Sequence, residues 1–215
     1  MLIALRIDIP PDGQAREAVE FTDATGFPAR CKDGVLTSRG RNRAQVSFAS
    51  PGVGTVPHLA GELFKQMTGV EMTHVPYRGD APGLTDTMAG RVDLQIGGSA
   101  MIEQIRGGQV RGLAVTTAKR SPLAAELPTV AEGGLANFDV TGWFAFFIPT
   151  KTPRAIIDKI QTDTAAALSD RAVKKKFEGI AMMAGASTPE ELAARLKSET
   201  EKWRPVIAEA KIALD

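Results

Sequence analysis

An α/β sheet protein is what this sequence predicts, and three observations predict it. From residue 45 onward, short β-type runs alternate with amphipathic helical stretches. Four of those runs lead into loops rich in Gly, Ser, Thr or Pro, and in open α/β sheets the carboxyl ends of strands are where ligands gather. One run, 110–117, carries Leu113, Ala114 and Val115 in succession, the pattern of a strand covered on both faces. At 215 residues, 43% of them hydrophobic, the chain can form one large or two small domains with a real core.

Taken in order, residues 1–44 are an atypical N-terminal segment, with Pro10-Pro11, Gly13, Gly26, Pro28, Gly34 and Gly40 and little periodicity. Its basic run, Ser38 to Arg43, reads as solvated surface rather than as a phosphate-contacting arm. Gln45 to Ala49 is the first regular strand. The loop Ser50-Pro51-Gly52-Val53-Gly54 follows, and Thr55 stands where a helix N-cap belongs. Leu59, Leu63 and Met67 then recur every four residues, with Ala60 and Phe64 beside them, until Gly69 ends the helix. A strand from Glu71 to Val75 runs into Pro76-Tyr77-Arg78-Gly79 and a short helix with Leu84 and Met88 on one face. The strand from Val92 to Ile96 ends in Gly97-Gly98-Ser99.

Beyond residue 117 come one more β-rich run, Phe138 to Ile148, and three helices. The first is capped at Thr152-Pro153 and lines up Ile156, Ile160 and Leu168. The second, around Ala172 to Glu178, is short and basic. The third opens with the capping box Thr188-Pro189-Glu190-Glu191 and carries Leu192, Leu196 and Trp203 on its inner side.

Bulk properties narrow the function. Twenty-six basic residues against 25 acidic give a net charge of +1, so no global field draws in nucleic acid or an anionic membrane, and an anionic ligand needs a local site. The single cysteine, Cys31, has no second thiol or histidine cluster near it, and no cofactor or metal motif stands out. No segment approaches the roughly 18 uninterrupted apolar residues of a membrane span. At the start, Arg6 and Asp8 interrupt the apolar residues before they reach signal-peptide length. Taken as written, the chain carries no export address and would be cytoplasmic.

Three local features could carry chemistry. In Ser50 to Thr55, glycines let the backbone approach a ligand while the following helix presents unpaired N–H groups, an arrangement that suits a carboxylate or phosphate; a plain structural turn is the competing reading. The loop lacks the Lys of a P-loop and the third Gly of a dinucleotide fingerprint. His58 and His74 suit hydrogen-bonding roles better than a catalytic or metal pair, though a small cytoplasmic enzyme using His58 beside an oxyanion-binding glycine loop is the alternative. Tyr77, the only tyrosine, and Arg78 could orient a ligand oxygen or pair with a carboxylate, or could pack on their own lobe and face water.

A longer pattern joins these pieces. It comprises Ser50-x-Gly52-x-Gly54-Thr55-x-x-His58-Leu59-Ala60-x-Glu62-Leu63-Phe64, then His74-Val75-Pro76-Tyr77-Arg78-Gly79 and Gly90-Arg91-Val92-Asp93. Leu113 to Thr116, Arg120-Ser121, Leu127-Pro128-Thr129-Val130-Ala131-Glu132-x-Gly134-Leu135, Trp143, Pro149-x-x-Thr152-Pro153 and Thr188 to Glu191 continue it. So ordered, over about 170 residues, the chain resembles the Bug family, the extracytoplasmic binding proteins of tripartite tricarboxylate transporters.

The resemblance implies a type II periplasmic-binding-protein architecture with one complete α/β lobe, residues 45–117, and the C-terminal part of a second, residues 118–215. It implies a periplasmic solute-binding protein without catalysis or cofactor, holding a small mono- or dicarboxylate in an interlobe cleft for its membrane partners. Position by position, Ser50, Gly52, Gly54, Thr55 and His58 fall in the cleft loop, Tyr77 and Gly79 in the adjoining loop, and Gly98 and Ser99 after the third strand. Two departures stand out. The family's opening strand and Asp-terminated glycine loop have no counterpart in residues 1–44, so apolar faces beyond about Ser121 are expected to be exposed or covered by a partner. Where many members carry an aromatic-Asp pair, this chain has Ile96-Gly97-Gly98-Ser99.

Overall fold

The computed structural model describes residues 46–98, 101–180 and 182–213, together with the backbone of three short strands at 2–6, 30–32 and 35–37. The run Ser38 to Arg43, Ser99 and the side chain of Cys31 lie outside the described residues.

Seven strands are formed among the described residues: β1 (Leu2–Arg6), β2 (Arg30–Lys32), β3 (Val35–Thr37), β4 (Val46–Ser50), β5 (Met72–Pro76), β6 (Leu94–Gly97) and β7 (Val110–Val115). β2 and β3 pair with each other, and the rest make one sheet in the order β5-β4-β6-β1-β7. β5 and β6 run parallel to β4, while β1 is antiparallel to both β6 and β7. Helices α1 (Val56–Thr68) and α2 (Asp80–Met88) provide the β4-to-β5 and β5-to-β6 crossovers, and α3 (Ile102–Arg106) precedes β7.

The chain leaves β4 to one side and returns to its other side, so two crossovers of the same hand place α1 and α2 on opposite faces. Phe48 and His74 are register partners and look toward α1; Ala49 and Gln95 are partners and look toward α2. Phe48 is fully buried, and a Cβ at Gly61 of α1 would stand 2.4 Å from its ring, so the helix settles onto the sheet only because position 61 has no side chain. A second core cluster joins Leu84 of α2 to Met101, Val110, Val115, Ala124 and Leu127.

Two compact units are present, Met1–Gly142 with Val206–Asp215, and Trp143–Pro205. Residues 118–142, expected to go with the C-terminal part, belong to the first unit: the Val115 and Val130 amides donate to Pro128 and Val115 carbonyls, and Val140 N–H donates to Thr116 O at 2.7 Å.

The second unit contains α4 (Arg154–Ser169), α5 (Arg171–Gly179) and α6 (Pro189–Glu209) up to Pro205. The capping box forms as expected, Thr188 N–H donating to Glu191 Oε2 at 2.8 Å and Glu191 N–H to Thr188 Oγ1 at 3.1 Å. Thr152 is not the cap of α4: Pro153 occupies that position with no side-chain acceptor, so the proline sits one residue earlier than the pattern suggested. Asp170 caps α5 through the Ala172 and Val173 amides. No residue of α4 or α5 is buried, and Ile156 and Ile160 of the expected apolar stripe lie at the surface. The run 138–148 is not a strand, because a strand needs a ladder and, among the described residues, the backbone bond from Val140 to Thr116 does not extend into one. Within it Phe144, Phe146 and Phe147 are 86%, 78% and 66% exposed.

Candidate functional site

Because β5 lies on one side of β4 and β6 on the other, the loops after β4 and β6 leave the sheet in opposite directions and open a crevice between them. Ser50 to Thr55 form one side and Gly97-Gly98 the other. The Tyr77–Gly79 turn is tied alongside, Tyr77 N–H donating to Ser50 O at 2.9 Å and Gly79 N–H to Pro51 O at 3.2 Å. Thus Ser50, Gly52, Gly54, Thr55, His58, Tyr77, Gly79 and Gly98 come together on one lobe.

The glycine loop is held from within. Gly52 and Gly54 adopt φ of 151° and 72°, both unfavourable for a side chain. Gly52 N–H donates to Ser50 Oγ at 3.3 Å, and Gly54 N–H donates to His58 Nδ1 at 3.0 Å. Thr55 stands at the cap position, yet its hydroxyl turns back and donates to Gly52 O at 2.7 Å instead of accepting from the helix. Pro57 has no N–H, and the first-turn N–H groups of Val56 and His58 have no partner among the described residues, which leaves them for an anion or solvent.

Beneath the loop lies a ring pair. His58, 5% exposed, stacks on His74 with centroids 3.7 Å apart and planes 12° from parallel, and Phe48 lies 4.9 Å from His74 on the sheet side. His74 Nε2 is 2.6 Å from Ser50 Oγ. His58 Nε2 faces Glu62 Oε1 at 3.7 Å, and Lys65 Nζ binds Glu62 at 2.8 Å. Burial alone would raise the Glu62 carboxyl, but the nearby His58 ring and the hydrogen-bonded Lys65 ammonium outweigh it and hold the group below its ordinary range. His58 is therefore enclosed, with Nδ1 bound to the loop and Nε2 turned to its own helix, and the alternative in which it shuttles protons for an enzyme has no open nitrogen to work with. The two histidines are the hydrogen-bonding groups that the sequence favours.

Burial, followed by the charge of His58, lowers His74 from 6.5 to about 4; Glu62 opposes this and Lys65 adds to it. The unfolded chain takes up this proton first, so the ring's contribution to stability is complete above about pH 6.5 and is lost as the pH falls toward 4. Partial solvent exposure limits the loss to about 1–2 kcal/mol. Urea titrations at pH 7 and 4.5 should show this fall, and His74→Gln should flatten it. A pH dependence unchanged by the substitution would refute it.

Sequence reasoning missed two neighbours. Tyr77 donates its hydroxyl to Asp86 Oδ2 at 2.8 Å, while Arg91 pairs with the same carboxylate; burial and that bond raise the phenol to about 12. Asp80 accepts from Gly98 N–H through Oδ2 at 3.1 Å, and a Cβ at Gly97 would come within 2.5 Å of its Oδ1. The two glycines thus make room for a carboxylate supplied by the first turn of α2. Asp80 Oδ1 and Gln95 Oε1 are buried acceptors with no partner among the described residues. No group of His, Cys, Asp and Glu suited to a metal ion occurs there either, and no helix among the described residues is long and apolar enough to cross a membrane.

A protein-family profile described as "Tripartite tricarboxylate transporter family receptor" matches residues 17–212. A UPF0065 protein from the tcbD-tcbE intergenic region of Pseudomonas sp. (strain P51) is 37% identical over 180 residues, covering 83% of this chain and 54% of its own length. The R. palustris Rpa4515 protein, solved with adipate, superposes with a TM-score of 0.74 at 33% identity, covering 99% of this chain and 65% of that one. The periplasmic binding protein BugD gives 0.68 at 26% identity, covering 98% and 66%. The chain spans about half the length of the curated relative and two thirds of the solved ones.

Proposed function

We propose, from the premise that this chain belongs to the tripartite tricarboxylate transporter receptor family, that its first unit is one wall of a cleft capturing a small mono- or dicarboxylate in the periplasm for such a transporter. The switch-point crevice is the observation that carries this reading. Its glycine loop has two amides already held by Ser50 and His58, and its helix end leaves the Val56 and His58 N–H groups to meet an anion. A carboxylate would accept from those two groups. The turn at Tyr77–Gly79 and Gly97-Gly98 would bound the rest of the solute. The opposite wall would come from polypeptide equivalent to the part of the relatives that this chain does not span. The family is one of transporter receptors rather than enzymes.

Adipate is the first probe, because the 33%-identical R. palustris protein was solved with it. In a thermal-shift series of mono-, di- and tricarboxylates, one size class should raise Tm saturably, and Thr55→Ala should weaken the response. At about 100 times its Kd such an acid stabilises by about 2.7 kcal/mol. A cooperative melt that no acid in the series moves overturns the proposal.

A further inference from the structure

The stacked histidines lie below the loop rather than at its open side, which raises the question of what they do for it. Ser50 ends β4 on the same face as Phe48, and His74 is the register partner of Phe48 on β5, so strand pairing itself brings the Ser50 hydroxyl to the His74 ring. That hydroxyl also lies 3.1 Å from Gly52 O and accepts from Gly52 N–H. One imidazole thereby controls the orientation of the single oxygen around which Gly52 folds. The other face of the same imidazole carries the His58 ring, whose Nδ1 must be unprotonated to accept from Gly54 N–H. Ser50 is 1% exposed and its oxygen is shared among these partners, so it serves the loop's geometry from inside.

We propose that His74 is a positioning residue for the carboxylate loop, with two separate arms: through Ser50 Oγ it sets Gly52, and through its stack on His58 it sets Gly54. The inference rests on the carboxylate-binding reading for its purpose, although its geometry is present in the free protein. With both arms in place the loop holds one conformation, and the Val56 and His58 N–H groups need no reorganisation to receive an anion. The groups facing the ring pair are Phe48 on β4 and Glu62 and Lys65 on α1.

Two variants separate the arms. His74→Phe keeps an aromatic ring for the stack and removes the nitrogen, while His74→Gln keeps an amide near the Nε2 position and removes the ring. Amide exchange measured by NMR on the free protein should be about tenfold faster at Gly52 in the Phe variant with Gly54 near wild type, and the reverse in the Gln variant. A purely structural role would loosen both amides together, in step with global stability. Where either variant fails to fold, Ser50→Ala reads the first arm alone: Gly52 should speed up and Gly54 should not. Folded variants in which the two amides exchange as in wild type, or always change together, overturn the proposal. Isothermal titration with adipate accompanies each variant. Crossed exchange with no acid bound by wild type would sink the carboxylate reading and leave the positioning role standing.

Discussion

Phe48→Ala is expected to destabilise the first unit by about 3–5 kcal/mol, the usual cost of emptying a buried phenylalanine site. The ring is fully buried, with α1 pressed on it at Gly61 and His74 beside it. The cavity cannot close by local collapse, since the sheet is fixed by its ladders on both sides of β4 and α1 by its crossover connections. The effect should reach the site, because the floor under the stacked histidines goes with the ring. A urea-unfolding midpoint is the measurement. A loss below about 1 kcal/mol would mean that α1 does not depend on this contact.

Phe138→Ala should cost a similar 3–5 kcal/mol by a different route. Phe138 is 1% exposed and meets Phe64 of α1 edge-on, centroids 6.2 Å apart at 81°. It anchors the stretch after β7, which is otherwise tied by hydrogen bonds such as Thr116 Oγ1 to Val140 O at 2.8 Å. Global stability should fall, and limited proteolysis should cut faster between residues 129 and 142. Unchanged cutting alongside a lowered urea midpoint would place the ring's role in the core alone.

The two rings illustrate what can be read from a sequence and what cannot. The period and terminal Gly69 of α1 are local, so the helix is legible, whereas its inner face is only partly so: Leu59, Ala60 and Phe64 are buried but Met67 of the expected stripe is exposed. The capping box at Thr188 is legible for the same reason: it needs only residues three apart. Phe138 belongs to a β-rich run that forms no strand, because strand pairing depends on a neighbour that a local pattern does not report. The site divides in the same way. Its glycine loop and helix end stand in the sequence, whereas the Ser50–His74 contact depends on parallel register between β4 and β5. The Asp80 carboxylate filling the space at Gly97 depends on the start of α2 meeting the end of β6 at the crevice. A signal for it was present, in that two successive glycines after β6 leave room for a side chain from elsewhere.

The antiparallel strand β1 bears on how this chain is made. Leu2 pairs with Gly97 and Val115, so β1 waits for partners translated roughly a hundred residues after it. The segment from β4 through α2 to β6 needs only neighbours close along the chain and can assemble as each part emerges. Until β7 has been synthesised, β1 keeps one edge unpaired even where it has met β6, a state prone to pairing with another nascent copy. A holdase that occupies β1 during translation would serve this topology better than one acting after β7 is made.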